Sequence, residues 1–236
     1  MARASAAAGR VALVTGGNRG IGLELVRQLL ERGYRVVLAS RDLARGQAAG
    51  RGLAPAERLA VAELDVAGRA LEAQAARCER LFGGVDVLIN NAAIHYDTHE
   101  TASTADFAVV RAAFETNLFG AWRLALALVP SMRSRGWGRI VNVSSGAGAF
   151  RSIGRSTPAY SVSKAALNAL TVSLADDLRG SGILVNAVCP GWVATDMGGP
   201  GGRPVAAGAR SVLFAVELPD DGPTGGFFRD GRRIDW

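Results

Sequence analysis

Lysine is almost missing from this 236-residue chain: of 27 basic residues, 26 are arginine and one is Lys164. Cysteine is nearly as scarce. Cys78 and Cys189 cannot build a disulfide framework, and they show no metal-ligand spacing. The only two histidines, His95 and His99, stand i,i+4, but no third ligand accompanies them, so no metal is expected. Long apolar runs are absent too. The longest, Ala121–Pro130, is interrupted by Arg123, which excludes an 18-residue membrane span. Met1–Arg10 lacks the apolar core of a signal peptide. These absences lead to the expectation of a reduced, cytoplasmic protein with no membrane partner and a flexible tail over residues 1–9.

What is present is ordinary for a globular chain: 49% apolar and 20% charged residues, which argues against wholesale disorder. The net charge of +6 and an isoelectric point near 10.3 raise nucleic acid as a partner. The arginines are scattered, however, as at Arg27, Arg58, Arg111 and Arg179. Only Arg229, Arg232 and Arg233 cluster, with no nucleic-acid motif beside them. No nucleic-acid partner is expected. Where nearly every cation is a guanidinium, the single lysine points to a task that arginine cannot do. An ammonium is a compact donor whose pKa responds to its surroundings.

Short apolar runs alternate with helical patterns. Val11–Val14, Val36–Leu38, Leu59–Leu64, Val85–Ile89, Ile140–Val143 and Ile183–Val188 read as strands, mostly apolar on both faces as buried parallel strands are. Between them lie helical patterns over Ile21–Arg32, Ala70–Leu81, Thr104–Arg135 with a break, and Pro158–Leu178. This alternation predicts an α/β, doubly wound Rossmann fold: one parallel sheet of about seven strands with helices on both faces. A single domain over residues 1–236 is expected, carrying cofactor and substrate together. The patch Gly198–Pro204 marks a mobile loop within a substrate-loop region of about 192–210.

The first strand ends in Thr15-Gly16-Gly17-Asn18-Arg19-Gly20-Ile21-Gly22, and a helix follows at once. Gly16 allows a tight turn, Gly20 lets backbone N–H groups approach a pyrophosphate, and Gly22 permits close helix–strand packing. No Lys-Ser/Thr closes the loop, which excludes a P-loop nucleotidase. The position about 20 residues on decides the dinucleotide. It holds Ser40 followed by Arg41, a small neutral residue and a guanidinium, which suit a 2′-phosphate. Arg19 can reach the same phosphate. Asp42 is the counter-argument, unless it N-caps a helix starting at Leu43.

Tyr160 and Lys164 stand i,i+4 and share a helix face. A phenol with a pKa near 10 exchanges its proton poorly at neutrality, and a neighbouring ammonium would lower that value. Ser145, just past the fifth strand, can donate to a substrate oxygen beside the Tyr160 hydroxyl. Asn117 sits in a helical stretch, where its side chain competes with the backbone.

Taken in order, Thr15–Gly22, Asn90-Asn91-Ala92-Ala93, Asn117, Ser144-Ser145, Tyr160–Lys164 and Pro190-Gly191 resemble the short-chain dehydrogenase/reductase family, over nearly the whole chain. The segments Ala39–Asp42, Cys189–Met197 and Gly226–Phe228 are most similar to its NADPH-dependent carbonyl reductases. The resemblance implies NADP(H) as cofactor and hydride transfer to a ketone or aldehyde, with Tyr160 as proton donor. Alcohol oxidation at the same site is the alternative, and a non-catalytic NADP(H)-sensing regulator is a third reading. It implies that Asn117 holds a water relaying protons to Lys164. It adds Asn18, Ile21, Asp65, Val66, Asn91, Ala92, Pro190, Gly191, Val193 and Thr195 to the cofactor-binding set. His95, Phe150, Ile153, Trp192 and Met197 are expected around an apolar substrate pocket, Trp192 as a pocket wall or as a core residue.

Two departures stand out. Ala93 replaces the last glycine of the family's Asn-Asn-Ala-Gly. Only 14 residues separate Ser145 from Tyr160, where animal carbonyl reductases carry a long insertion that covers a helix face. Its absence leaves the helices Thr104–Arg135 and Pro158–Leu178 free to pair, giving a homodimer or homotetramer.

Overall fold

A computed structural model of the chain describes residues 9–154 and 156–236. Most of the expected tail, residues 1–8, lies outside the described residues. The sheet contains β1 (Val11–Thr15), β2 (Arg35–Ser40), β3 (Leu59–Glu63), β4 (Val87–Asn90), β5 (Gly138–Val143), β6 (Ile183–Val188), β7 (Phe227–Arg229) and β8 (Arg232–Arg233). The helices are α1 (Gly20–Glu31), α2 (Leu43–Gly50), α3 (Leu71–Phe82), α4 (Phe107–Phe114), α5 (Gly120–Arg135), α6 (Pro158–Asp177) and α7 (Val205–Val216).

The strand order is β3-β2-β1-β4-β5-β6-β7-β8. Seven strands run parallel, as expected, and only the two-residue β8 pairs antiparallel, Phe228 opposite Arg233. Strands alternate faces with period two, and the two faces of β1 show the consequence. Ala12 and Val14 pack with Leu25, Leu29, Val212 and Leu213 of α1 and α7. Val11 and Leu13 pack with Leu71, Ala75, Leu124 and Leu128 of α3 and α5. Each fully buried leucine stabilises the fold by about 1.5–3 kcal/mol relative to exposure.

Two elements depart from the sequence pattern. The expected break in Thr104–Arg135 is a π-helical turn, Glu115–Phe119, that joins α4 to α5 without interrupting the helix. The expected substrate loop ends at Pro204, because α7 starts at Val205 and buries Ala209, Val212 and Leu213 against the sheet. Asp42 caps α2, its carboxylate accepting from the Arg45 N–H at 3.0 Å. No described helix is long and apolar enough to cross a membrane.

Candidate active site

Strand order reverses at β1 and β4, which lie side by side and parallel. The chain winds outward from β1 to β3 and then returns to the other side of β1, so the connections leave the two carboxyl ends in opposite directions and a crevice opens between them. Thr15, the last residue of β1, ties the two lips together. Its hydroxyl accepts from Asn91 N at 2.9 Å and Ala92 N at 3.0 Å, while Asn91 Nδ2 donates back to Thr15 O at 2.8 Å. The sequence signal for this clasp was present in Thr15 itself, the one hydroxyl in an otherwise apolar strand.

The glycine loop leaves β1 through Gly16 at φ +64° and enters α1 through Gly20 at φ +52°, both in the left-handed region. A Cβ at Gly22 would overlap the Gly16 carbonyl, so the turn closes only on glycine. Arg19 at the N-cap of α1 makes no side-chain cap, and no acidic residue sits in the first turn. The open N–H groups there suit an anion.

Gly16, Asn18, Arg19, Gly20, Ile21, Gly22, Arg41, Asp65, Val66, Asn91, Ala92, Tyr160, Lys164, Pro190 and Thr195 all line this one cleft. Gly191 and Val193 lie instead on an adjoining cavity of about 510 Å³, with Ser145, His95, Trp192 and Met197. Tyr160 borders both spaces. Ser40 is buried, its hydroxyl accepting from Asp42 N at 3.3 Å, which leaves the cleft wall to Arg41. Arg19 pairs with Asp196 at 2.8 Å across the mouth, and both side chains are exposed.

Lys164 is buried on α6 and donates from Nζ to Val143 O at 2.8 Å. Its other two hydrogens have no protein partner among the described residues. With no carboxylate beside it, burial pulls its pKa down to about 8. Burial pushes the Tyr160 phenol up to about 12, with the Ser145 hydroxyl pulling the other way. In the cofactor-free protein desolvation of the phenolate outweighs the Ser145 hydroxyl; the lowering expected from Lys164 is one that it would exert together with the positive nicotinamide of an oxidised cofactor.

Asn117 lies in the π turn, buried, and reaches neither space. Its Oδ1 accepts from Ile94 N at 2.8 Å, and Nδ2 donates to Ile94 O at 3.0 Å and Ser163 Oγ at 3.0 Å. Both amide hydrogens are thus engaged by protein, and the side chain clamps the segment after β4 onto α6.

Two expected pocket residues are elsewhere. Phe150 and Ile153 line neither space, because the 3₁₀ turn Phe150–Ser152 directs them outward, and Phe150 is 78% exposed. Cys189 was legible only as a small buried hydrophobe. It lines the cavity, and its Sγ accepts from Gly146 N (3.2 Å), Gly191 N (3.4 Å) and Arg229 Nη2 (3.1 Å). Gly146, Ala147 and Arg229 were likewise missed, since nothing local marks them as cavity residues. Trp192 is exposed and donates from Nε1 to Gly198 O at 2.6 Å, a wall and not a core residue. The described residues hold no cluster of metal-ligating side chains.

Comparison with known proteins bears on this arrangement. Residues 10–203 match the family model for short chain dehydrogenases. The chain is 34% identical to the NADPH carbonyl reductase 1 of Sus scrofa over 282 aligned positions, covering 96% of this chain and 94% of that one. It is 36% identical to the acetoacetyl-CoA reductase of Cupriavidus necator, over 80% of this chain and 76% of that protein. The crystal structure of NADPH-bound carbonyl reductase from chicken fatty liver superposes with a TM-score of 0.85 at 30% identity, covering 97% of this chain and all of that one. A glycine cradle opening onto a Tyr160–Lys164 pair, in a chain matched to that model from residue 10 to residue 203, belongs to the short-chain dehydrogenase family.

Proposed function

We propose that this protein reduces a ketone or aldehyde to the alcohol with NADPH, in a single domain that holds cofactor and substrate together. The observation that carries the reading is the meeting of two spaces at Tyr160: a glycine-cradled cleft on one side and a largely apolar cavity on the other. The cofactor, when bound, supplies the hydride. Tyr160 gives its phenolic proton to the carbonyl oxygen as that oxygen gains charge. Burial keeps the phenol protonated in the free protein, and the Lys164 ammonium with the positive nicotinamide of the oxidised cofactor would ease loss of that proton as the hydride moves. Ser145 holds the oxygen, and the free hydrogens of Lys164 hold ribose hydroxyls. Arg41 and Arg19 take the 2′-phosphate, Arg19 exchanging its exposed partner Asp196 for it. Asn117 acts by fixing Ile94 and Ser163; any water passing protons to Lys164 would be held by backbone.

The walls His95, Trp192, Val193 and Met197 favour an uncharged substrate. Arg229, the one charged side chain there among the described residues, is engaged by Cys189. Oxidation of an alcohol runs on the same groups in reverse, so the cofactor ratio sets the direction. Tyr160 and Ser145, both lining the cavity beside the cleft, count against a mere sensor, since a sensor has no need of a proton donor. We further propose a cytoplasmic homodimer or homotetramer. Trp122 and Leu126 on α5 and Val162 and Val172 on α6 are exposed apolar residues that support a subunit contact. A scan of ketones and aldehydes followed by NADPH absorbance tests the activity. Absence of turnover across aliphatic, aromatic and β-keto carbonyls would overturn it.

A further inference from the structure

Helix α6 carries Tyr160 in its first turn, yet its own N-cap does nothing for it. Thr157 stands at φ +58°, in the left-handed region, and makes no side-chain cap. The cap comes from 60 residues earlier in the chain. Asp97, 1% exposed, accepts through Oδ2 from Ala159 N at 2.7 Å and from Tyr160 N at 3.2 Å. Among the described residues its Oδ1 is buried with no partner. Two residues before it, the His95 ring lies against the Tyr160 ring, centroids 4.4 Å apart and planes inclined at 33°. One residue further back, Ile94 is bonded through both backbone groups to Asn117. The segment 94–97 is thus anchored at the π turn and ends on the backbone and ring of Tyr160.

We infer that Asp97 is a positioning residue for the proton donor, holding the Tyr160 backbone while His95 holds its ring, so that residues 94–97 form a brace between the π turn and the catalytic helix. A helix N-terminus with two bonds to one carboxylate is fixed against fraying. Fixing it there sets the phenol relative to the cavity, where a misplacement of about 1 Å can remove about two orders of magnitude in rate. The carboxylate also has an electrostatic consequence. Among the described residues Tyr160 faces Ser145, His95, Cys189, Lys164 and Asp97; burial chiefly opposes ionisation of the phenol, and Cys189 and then the Asp97 carboxylate add to it.

The inference rests on the reductase reading, and the test separates the two. Hydrogen exchange at the Ala159 and Tyr160 amides needs no turnover. In Asp97→Ala those two amides should exchange about tenfold faster or more than in the wild type, while those of α1 stay unchanged. Asp97→Asn keeps one acceptor oxygen and should recover most of that protection. In the kinetic arm, Asp97→Ala should lose about tenfold or more in kcat with little change in KM for NADPH. Asp97→Asn should keep most of kcat, but with its alkaline limb moved to lower pH, because removing the anion eases loss of the phenolic proton. Unchanged exchange at 159–160 in Asp97→Ala would overturn the brace whatever the enzyme does. Faster exchange with kcat within twofold of wild type and an unmoved pH limb in Asp97→Asn would overturn its role in catalysis. A wild-type protein that reduces no carbonyl would reject the reductase reading and leave the exchange result standing.

Discussion

Lys164 Nζ lies 5.8 Å from the centre of the Tyr160 ring and is tethered to Val143 O at 2.8 Å, so one side chain joins the end of β5 to the face of α6 that carries the phenol. On the proposed mechanism, Tyr160→Phe retains the ring packing and NADPH binding but removes the proton donor. Turnover should fall by about two orders of magnitude or more. Lys164→Arg should be severely impaired too, since a planar fork cannot fit the tether to Val143 and the ribose together. Steady-state kinetics beside a fluorescence titration of NADPH check both, and near-normal turnover in Tyr160→Phe would show that the proton comes from elsewhere.

The pH response of Lys164 follows from its burial. With a free-enzyme pKa of about 8, the ammonium loses its proton as pH rises through that value, well before the Tyr160 phenol. The kcat/KM for NADPH, which reports the free enzyme, should fall above about pH 8. A flat profile between pH 7 and 9.5 would contradict this.

Stability responds in the opposite sense. The unfolded chain keeps Lys164 protonated up to its ordinary pKa near 10.4, whereas the folded chain releases the proton from about 8. Between those values the unfolded state binds more protons, so the Lys164 contribution to stability rises with pH. Below about pH 8 the buried ammonium costs the fold an amount on the order of 3 kcal/mol, offset in part by the Val143 bond. Lys164→Met should therefore raise the melting temperature of the cofactor-free protein at pH 7 while abolishing activity. A lower Tm would show that the hydrogen bond outweighs desolvation.

Cofactor choice rests on Arg41 and Arg19. Charge-assisted bonds to a phosphate contribute about 1.5–3 kcal/mol each, less where water reaches them. Even one at the low end gives roughly tenfold in affinity. NADPH should exceed NADH in kcat/KM by at least about tenfold, and the gap should shrink at high salt. Arg41→Ala should narrow it. Asp196→Ala, which frees Arg19, should leave it intact or widen it, because an exposed pair such as Arg19–Asp196 holds its partner weakly. Equal efficiency of the two cofactors in the wild type would reject the assignment.

Assembly is read at the exposed face of α5 and α6. Light scattering at micromolar concentration should report a multiple of 24.5 kDa, and Leu126→Glu, at a position 62% exposed, should shift it toward the monomer with little loss of monomer stability. A wild-type monomer would reject the contact.

Much of the site was legible because it is local. A strand, a glycine turn and a helix follow one another between Val11 and Glu31, and each is dictated by neighbouring residues: β-branched and apolar alternation, left-handed glycines, then an apolar stripe. Tyr160 and Lys164 share a face because the helix period puts them there. Phe150 and Ile153 were misplaced because their apolar character says nothing of which way a three-residue turn points. The start of α7 was missed because glycine and proline up to residue 204 masked a stripe that only the sheet surface selects.

The sequence alone therefore determined the order of the elements, the nucleotide-cradling turn and the identity of the chemical groups, since these depend on interactions within a few residues. Tertiary structure decided what joins them. Asn117 engages Ile94, Asp97 caps the helix of Tyr160, and Cys189 gathers donors from Gly146, Gly191 and Arg229. These partners lie as much as 63 residues apart, and hydrogen-bonding groups have no periodicity that reveals a distant partner. They meet only because buried polar atoms must find one another once the sheet and its two helical layers have closed.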